Sequence, residues 1–410
     1  MSVNAADTAW VLVSTALVML MTPGLALFYS GMVRRKNAVS TTMMSFCALG
    51  LVGVLWVLYG YSLAFGADRG GLIGGLEHVF LLGVGQAPSD TYAGTIPHLA
   101  FFAFQGMFAV ITVALISGAV VERMRFRALL LFSVLWLTVV YCPVAHWVWG
   151  AGGWLLSLGA LDFAGGTVVH ICAGFSALAL AIVLGPRKGY GKGEAMEPHN
   201  VPMVVLGAGL LWFGWFGFNA GSALTSGGLA SSAFVATNTS AAAAALTWML
   251  LSWWDRRPSA LGTATGAVAG LVAITPAAGF VSPVMAIPMG VVVSCLCYYC
   301  IRLRVKLGVD ESLDVWAVHG MGGVWGALAT GLFADPAVSG GATGLLYGNP
   351  AQIGLQALGV AVVAAFAFAM SYGLGRAISA TMGLRVPSRE ETIGLDLAEH
   401  AERAYGGVVS

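Results

Sequence analysis

Apolar residues run along this chain in long blocks, and small clusters of Arg and Lys break them at short intervals. A helix of about 20 apolar residues crosses the hydrocarbon core of a bilayer. The pattern therefore predicts eleven membrane-spanning helices, at roughly 9–33, 39–66, 97–121, 126–148, 162–185, 199–220, 228–253, 259–277, 280–301, 312–334 and 351–380. The eighth block is short and rich in Gly and Ala.

The basic clusters fix an orientation, because Lys and Arg gather in the cytoplasmic loops of membrane proteins. With the N-terminus outside, five clusters fall inside: Arg34-Arg35-Lys36, Arg123/Arg125/Arg127, Arg187/Lys188/Lys192, Arg256/Arg257 and Arg302/Arg304/Lys306. Arg376, Arg385, Arg389 and Arg403 join them, which makes 18 of the 19 basic residues; only Arg69 lies outside. One missed helix would break the alternation for every cluster after it. The outer loops 67–96 and 335–350 are longer and acidic or neutral. The tail from Leu384 to Ser410 is polar, lies inside, and is too short for a catalytic domain; regulation or docking suits it. Met1–Trp10 has no basic stretch and carries Asp7, so no cleavable signal is expected and the first block stays as a helix.

Composition agrees. The 410 residues are 58% hydrophobic and 9% charged, against about 25% charged for a soluble domain. The 56 glycines suit close helix packing in lipid. A net charge of +1 gives no electrostatic footprint for nucleic acid. The cysteines Cys47, Cys142, Cys172, Cys295, Cys297 and Cys300 all fall in apolar stretches and read as small buried hydrophobes rather than metal ligands.

An internal repeat lies beneath the blocks. The fifth carries Val169-His170 and the tenth Val318-His319, each followed by Gly (Gly174; Gly320 and Gly322) and preceded by an Asp, Asp162 and Asp314. Five spans is an odd number, so two five-helix repeats insert with opposite topology and relate by a pseudo-two-fold axis in the membrane plane. That arrangement brings equivalent residues together near the midplane and marks transporters and channels. The expected division is a first repeat over 1–186, an inner linker over 187–198, a second repeat over 199–334, an outer loop with the eleventh helix over 335–383, and a regulatory tail over 384–410.

Ionisable groups at membrane depth are costly and point to function. A pair of histidines at matched places is less easily explained as structural than either alone. Neutral imidazoles can donate to or accept from a small polar molecule, and can pass a proton. Asp162 opens the fifth block, where a carboxylate caps a helix or draws in a cation. Phe104 and Phe108 share a helix face; Trp149, Trp215 and Phe218 end other blocks, with Ser222 close behind. Such aromatics are commonly interfacial belt residues, but clustered at one mouth they hold a cation by its attraction to the ring faces. His146, His78, His98 and His199 read as structural. No block carries a row of charges, so the conduit is apolar and suits a substrate that can shed its charge. A membrane haem protein is disfavoured, since no block holds two histidines about a dozen residues apart.

Several of these segments resemble the ammonium transporter (Amt/Mep/Rh) family: Pro23–Gly31, Ala103–Phe108, Ala145–Gly150, Asp162–His170, Trp215–Ser222 and Val318–Gly320. The resemblance implies an all-α polytopic membrane protein of eleven helices, N-terminus outside and C-terminus inside, assembled as a homotrimer in the cell membrane with lipid around it. It implies that ammonium is deprotonated and conducted as ammonia with net electrogenic uptake, with methylammonium left open, and neither enzyme activity nor a cofactor nor a metal. Trp149, Ser222 and Phe108 would recruit ammonium, with Asp162 supporting them. Phe108 and Phe218 would close the outer mouth, and His170 and His319 would line the pore. Phe28 and Tyr29 match positions near the inner pore or its packing. Trp149 and Ser222 together favour the Amt branch over Rh. The tail resembles bacterial Amt tails that contact the PII signalling protein, but Ala401 stands where Gly is usual, and Trp316 where Phe is common. An ammonium sensor acting through its tail or through PII is the alternative, as is an electroneutral ammonia channel.

Overall fold

The structure, a computed structural model, describes residues 2–406. Met1 and the last four residues of the expected tail, 407–410, lie outside the described residues. The chain is predominantly helical. Its main helices are α1 (Ala5–Met32), α2 (Arg35–Phe65), α3 (His98–Val120), α4 (126–149), α5 (Gly166–Leu184), α6 (Val201–Gly221), α7 (Gly228–Asp255), α8 (Ala260–Ile274), α9 (Ala286–Lys306), α10 (316–333) and α11 (Ala351–Thr381). Two short helices in the tail follow, α12 (Ser388–Ile393) and α13 (Leu395–His400). Among the described residues nine helices are long and apolar enough to cross a membrane; α8 and α10 fall outside that count.

Local chemistry explains where several helices begin and stop. The Asn4 side chain accepts from Ala6 and Asp7 at the start of α1, and Ser259 accepts from Gly262 at the start of α8. α8 ends at Ile274 because Pro276 follows and has no N–H to continue the ladder; Thr275 between them keeps helical dihedrals. Two expected starts move. The fifth block becomes helical at Gly166 rather than near 162, since Gly165 sits at φ 108° and breaks the run. The ninth starts at Ala286 rather than 280, because a turn containing Pro283 comes first.

Small residues set the packing. α6 lies along α1 with glycines facing it. A Cβ on Gly207 would meet the Phe28 amide nitrogen at 2.4 Å, one on Gly214 the Met21 side chain at 2.3 Å, and one on Gly217 the Leu17 side chain at 2.6 Å. α5 and α10 cross more tightly still. A Cβ on Gly174 would stand 2.2 Å from the Gly320 amide nitrogen. Van der Waals packing carries helix association where lipid is the solvent, so such approaches matter most there.

The end of the bundle that carries the basic clusters is held by buried charge. Glu122, fully buried, receives Arg34 at 3.0 Å and Arg187 at 2.7 Å. Arg187 also pairs with Asp310 at 2.8 Å, and Arg123 donates to the Asp310 carbonyl at 2.6 Å. Burial alone would raise the Glu122 carboxyl; the Arg187 and Arg34 guanidinia hold it below the usual range. The tail closes over this network. Asn37 donates to Glu122 at 2.9 Å and accepts the Leu395 amide at 2.9 Å. Asp396 accepts the Ser40 amide at 2.8 Å, and Arg385 pairs with Glu391 at 2.7 Å. Buried charges persist only when paired and hydrogen-bonded; the tail reaches this group through Asn37, which bonds both Glu122 and Leu395.

The crossing of α5 and α10 yields a test. Gly174→Ala puts a methyl group into backbone, and overpacking of this kind costs about 1–3 kcal/mol. The unfolding temperature in detergent is expected to fall; an unchanged temperature would mean the two helices part without cost.

Candidate functional site

α5 and α10 bring the two expected histidines together. His170 and His319 are both buried, and their Nδ1 atoms lie 3.2 Å apart. Each sits inside a π-helical opening turn, Gly166–Ile171 in α5 and Trp316–Met321 in α10. The surroundings of the two histidines correspond place by place, though not at the residues expected. The Asp162 carboxylate lies eight residues before His170 and accepts the amides of Gly165, Gly166, Thr167 and Val168 at 2.7–3.3 Å. The residue that does the same work before His319 is Glu311, not Asp314: its carboxylate accepts the amides of Val315 at 2.7 Å and Trp316 at 3.0 Å. Asp314 instead matches Gly165; both stand five residues before the histidine in the left-handed region, at φ 62° and 108°. Asp314 pairs with Arg304 at 2.7 Å. Likewise the equivalent of Gly174 is Gly323, where a Cβ would press on Ile171 and His170 at 3.0–3.1 Å.

One Nδ1–Nδ1 contact admits a single proton. In a neutral pair one imidazole is the donor and keeps a bare Nε2; the other accepts and carries its proton on Nε2. The pair thus offers an acceptor at one end and a donor at the other, and a shift of protons exchanges them. The His170 Nε2 has no partner in the protein. A narrow cavity of about 10 Å³ touches both rings, and its other lining residues, among them Met21, Leu25, Ile111 and Val268, are apolar. Trp215 stacks on His170 at 5.4 Å between ring centroids and spends its indole N–H on Thr275 at 2.8 Å.

Above the imidazoles lies an aromatic pair. Phe108 and Phe218 stack with centroids 4.2 Å apart and planes 24° apart, and Phe218 stands 6.1 Å from His170. Beyond them opens a chamber of about 300 Å³ whose lining includes Phe104, Gln105, Phe108, Trp149, Asp162 and Ser222. Trp149 meets Phe108 edge to face at 5.8 Å, and its N–H donates to the Asp162 carbonyl at 2.9 Å, so its ring is what it offers the chamber. Ser222 gives its hydroxyl proton to the Phe218 carbonyl at 2.8 Å, which leaves its oxygen as an acceptor. Both Asp162 carboxylate oxygens are spent on main-chain amides, so it shapes the chamber wall rather than reaching into it.

All seven expected site residues therefore lie along one path from chamber to imidazoles. Phe28 and Tyr29 do not line it: Tyr29 donates to the Leu115 carbonyl at 3.1 Å and packs under Gly118. His146 is buried, with Nδ1 2.9 Å from the Ala64 carbonyl and Nε2 2.9 Å from Asp68. His199 joins the Val33 carbonyl and the Tyr405 hydroxyl, each at 2.9 Å. The sequence reading passed over Gln105, whose side-chain oxygen is buried without a partner and whose residue lines the chamber. An uncharged amide within an apolar block was the signal available for it.

The family model described as "Ammonium Transporter Family" matches residues 9–405. The chain is 51% identical over 399 residues to "Ammonium transporter Amt1" of Archaeoglobus fulgidus, covering 97% of this chain and 99% of that one. The crystal structure of Candida albicans Mep2 superposes with a TM-score of 0.89 at 40% identity, covering 95% of this chain and 88% of that one. A solved structure described as "Sensor Amt Protein" gives a TM-score of 0.89 at 32% identity, over 96% and 98% of the two chains.

The Asp162 cap is directly testable. Loss of an ordinary single-bond cap costs about 0.5–2 kcal/mol; Asp162→Ala strips four amides and is expected at or above the top of that range. Asp162→Asn keeps one side-chain oxygen and should lose less. The readout is thermal unfolding in detergent, and equal stability of all three proteins would remove the cap from the account.

Proposed function

We propose, for a chain that belongs to the ammonium transporter family, that it draws ammonium into the outer chamber, strips one proton from it and passes ammonia between His170 and His319. Family membership makes the chain a multi-pass membrane transport protein rather than an enzyme. The observation that carries the finer reading is the imidazole pair at the foot of a stacked aromatic gate, in a lining otherwise apolar.

The steps follow from the groups present. A cation entering the chamber meets the rings of Trp149 and Phe108, which attract it through their faces, and the free lone pairs of Ser222 accept one N–H. Beyond Phe108 and Phe218 the void is too small for a hydrated ion and offers no counter-charge. Taking an ion into such a medium costs several kcal/mol; ammonia carries no charge to desolvate. The cation therefore gives up a proton at the gate, either to solvent in the chamber or to the bare Nε2 of the imidazole pair, and the neutral molecule passes along the imidazoles. The proton has two destinations. Returned outside, it leaves transport electroneutral; handed along the Nδ1–Nδ1 contact, it crosses with the ammonia. We take the second as the reading, since that contact provides a proton relay.

The accompanying architecture is eleven membrane helices with the N-terminus outside and the tail inside, built as inverted repeats over 1–186 and 199–334 with α11 appended. The Lys and Arg distribution supports that orientation. The matched caps at Asp162 and Glu311 support the repeat. We place the chain in the plasma membrane as a homotrimer, with a PII protein as the candidate partner of the tail.

Solid-supported membrane currents decide between the readings, with purified protein in liposomes given an ammonium pulse. A transient current that His170→Ala and His319→Ala abolish or reshape is the expected result. Internal alkalinisation without current would assign an electroneutral ammonia channel. Neither signal from folded protein that still binds ammonium would replace transport by sensing.

A further inference from the structure

Between the end of α4 and the start of α5 the chain forms one wall of the chamber, with Leu161 and Asp162 both facing it. The main chain of Leu161 is paired neither by a helix nor by a strand. Its amide donates at 2.7 Å to the Oε1 of Gln356, and its carbonyl accepts at 2.7 Å from the Nε2 of the same side chain. Gln356 belongs to α11 and is buried, 3% exposed. Its Nε2 donates a second time, at 3.0 Å, to the Ala327 carbonyl of α10, the helix that carries His319. Its Oε1 accepts a second time, at 3.3 Å, from Gln352, which also donates to the Gly159 carbonyl at 2.9 Å.

We infer that Gln356 is a positioning residue for the cation-recruiting chamber, acting from a helix that belongs to neither five-helix repeat. The inference rests on the reading of that chamber given above. An amide has two donors and two acceptor lone pairs, and all four of Gln356 are used within the protein. It has nothing left for a substrate, so it works only through what it holds. It holds Leu161; the next residue, Asp162, gives its carbonyl to the Trp149 indole and its carboxylate to the first turn of α5. One buried amide thus ties the Trp149 side of the chamber to α10. The side chain imitates the partner strand that this segment lacks, meeting both polar groups of one residue at once.

Removing the amide leaves the Leu161 N–H and C=O buried without partners, and the wall shifts to find others. The ring of Trp149, whose N–H is anchored to that wall, shifts with it. The imidazole pair is held by separate contacts, the caps at Asp162 and Glu311 and the glycine crossing, so the maximal rate is expected to survive where the affinity does not.

The test is the ammonium concentration dependence of the current for the native chain, Gln356→Met and Gln356→Glu. Gln356→Met keeps the length and loses every polar contact. Its half-saturating concentration is expected to rise about tenfold or more, with the maximal current per folded protein within about twofold of native. Gln356→Glu, read at a pH where its carboxyl is protonated, keeps an acceptor for the Leu161 amide and one O–H for the Leu161 carbonyl and should lie between the two; it decides the matter alone if Gln356→Met does not fold. Hydrogen exchange of the peptide containing Leu161 reads the wall directly and is expected to quicken in Gln356→Met. An unchanged half-saturation in folded protein overturns the inference, whether or not exchange quickens. So does a fall in maximal current at unchanged half-saturation, which would assign the effect to the histidines. A native chain that gives neither current nor pH change fails the transport reading itself, and the exchange measurement then still reports on Gln356 and Leu161.

Discussion

Two imidazoles touching through nitrogen inside an apolar lining are hard to hold, and much of the bundle is arranged around that contact. Neither ring draws an orienting hydrogen bond from any charged group. Their placement depends instead on the helices beneath them. Each helix begins in a wide turn whose amides are gathered by one carboxylate, Asp162 or Glu311, and each meets the other where a side chain would not fit, at Gly174 against Gly320 and Gly323 against Ile171. The carboxylates fix where the helices start and the glycines fix how near they come. Trp215, pinned by Thr275, then closes the face of His170 that the pair leaves free.

Much of this could be read from the chain. The apolar blocks gave the helices to within a few residues, because burial in lipid leaves little else for such sequences to do. His170 and His319 stood out because ionisable groups are rare at that depth. What stayed hidden did so for definable reasons. Glu311 was passed over for Asp314 because a repeat sought by identity of residue finds Asp again, whereas the structure repeats a function, and Glu does it with one more methylene. Asp314 takes the place of a glycine, Gly165, because Asp tolerates the left-handed backbone better than most side chains. Gln105 and Gln356 are single neutral amides among apolar residues, and nothing in their spacing says which main-chain groups they face. The shortness of α8 was visible in its composition, but its end was set by Pro276.

The two ends of the molecule solve different problems. The end that bears the basic clusters buries Glu122, Arg187, Asp310 and Arg123 in one mutually paired group, and the tail touches it through Asn37, which donates to Glu122 and accepts the Leu395 amide. The chamber at the opposite end offers its interior neutral groups: ring faces, a serine oxygen and an amide. A fixed charge beside the chamber would either repel the cation or hold it too well, whereas ring faces and a hydroxyl oxygen attract it weakly enough to let it move on. The carboxylate in the chamber wall, Asp162, is turned onto main-chain amides and so faces the passage with no free oxygen.

The wide turns that hold His170 and His319 limit what either helix can lose. A π turn is an α turn with one residue too many, and a helix loses about 100° of facing for each residue added or removed. The wide turn begins four residues past Asp162 and five past Glu311, and each histidine stands eight residues past its carboxylate. Deleting one residue between carboxylate and histidine in either helix would turn one imidazole away from the other, so each irregular turn is kept by the ring on the opposite helix.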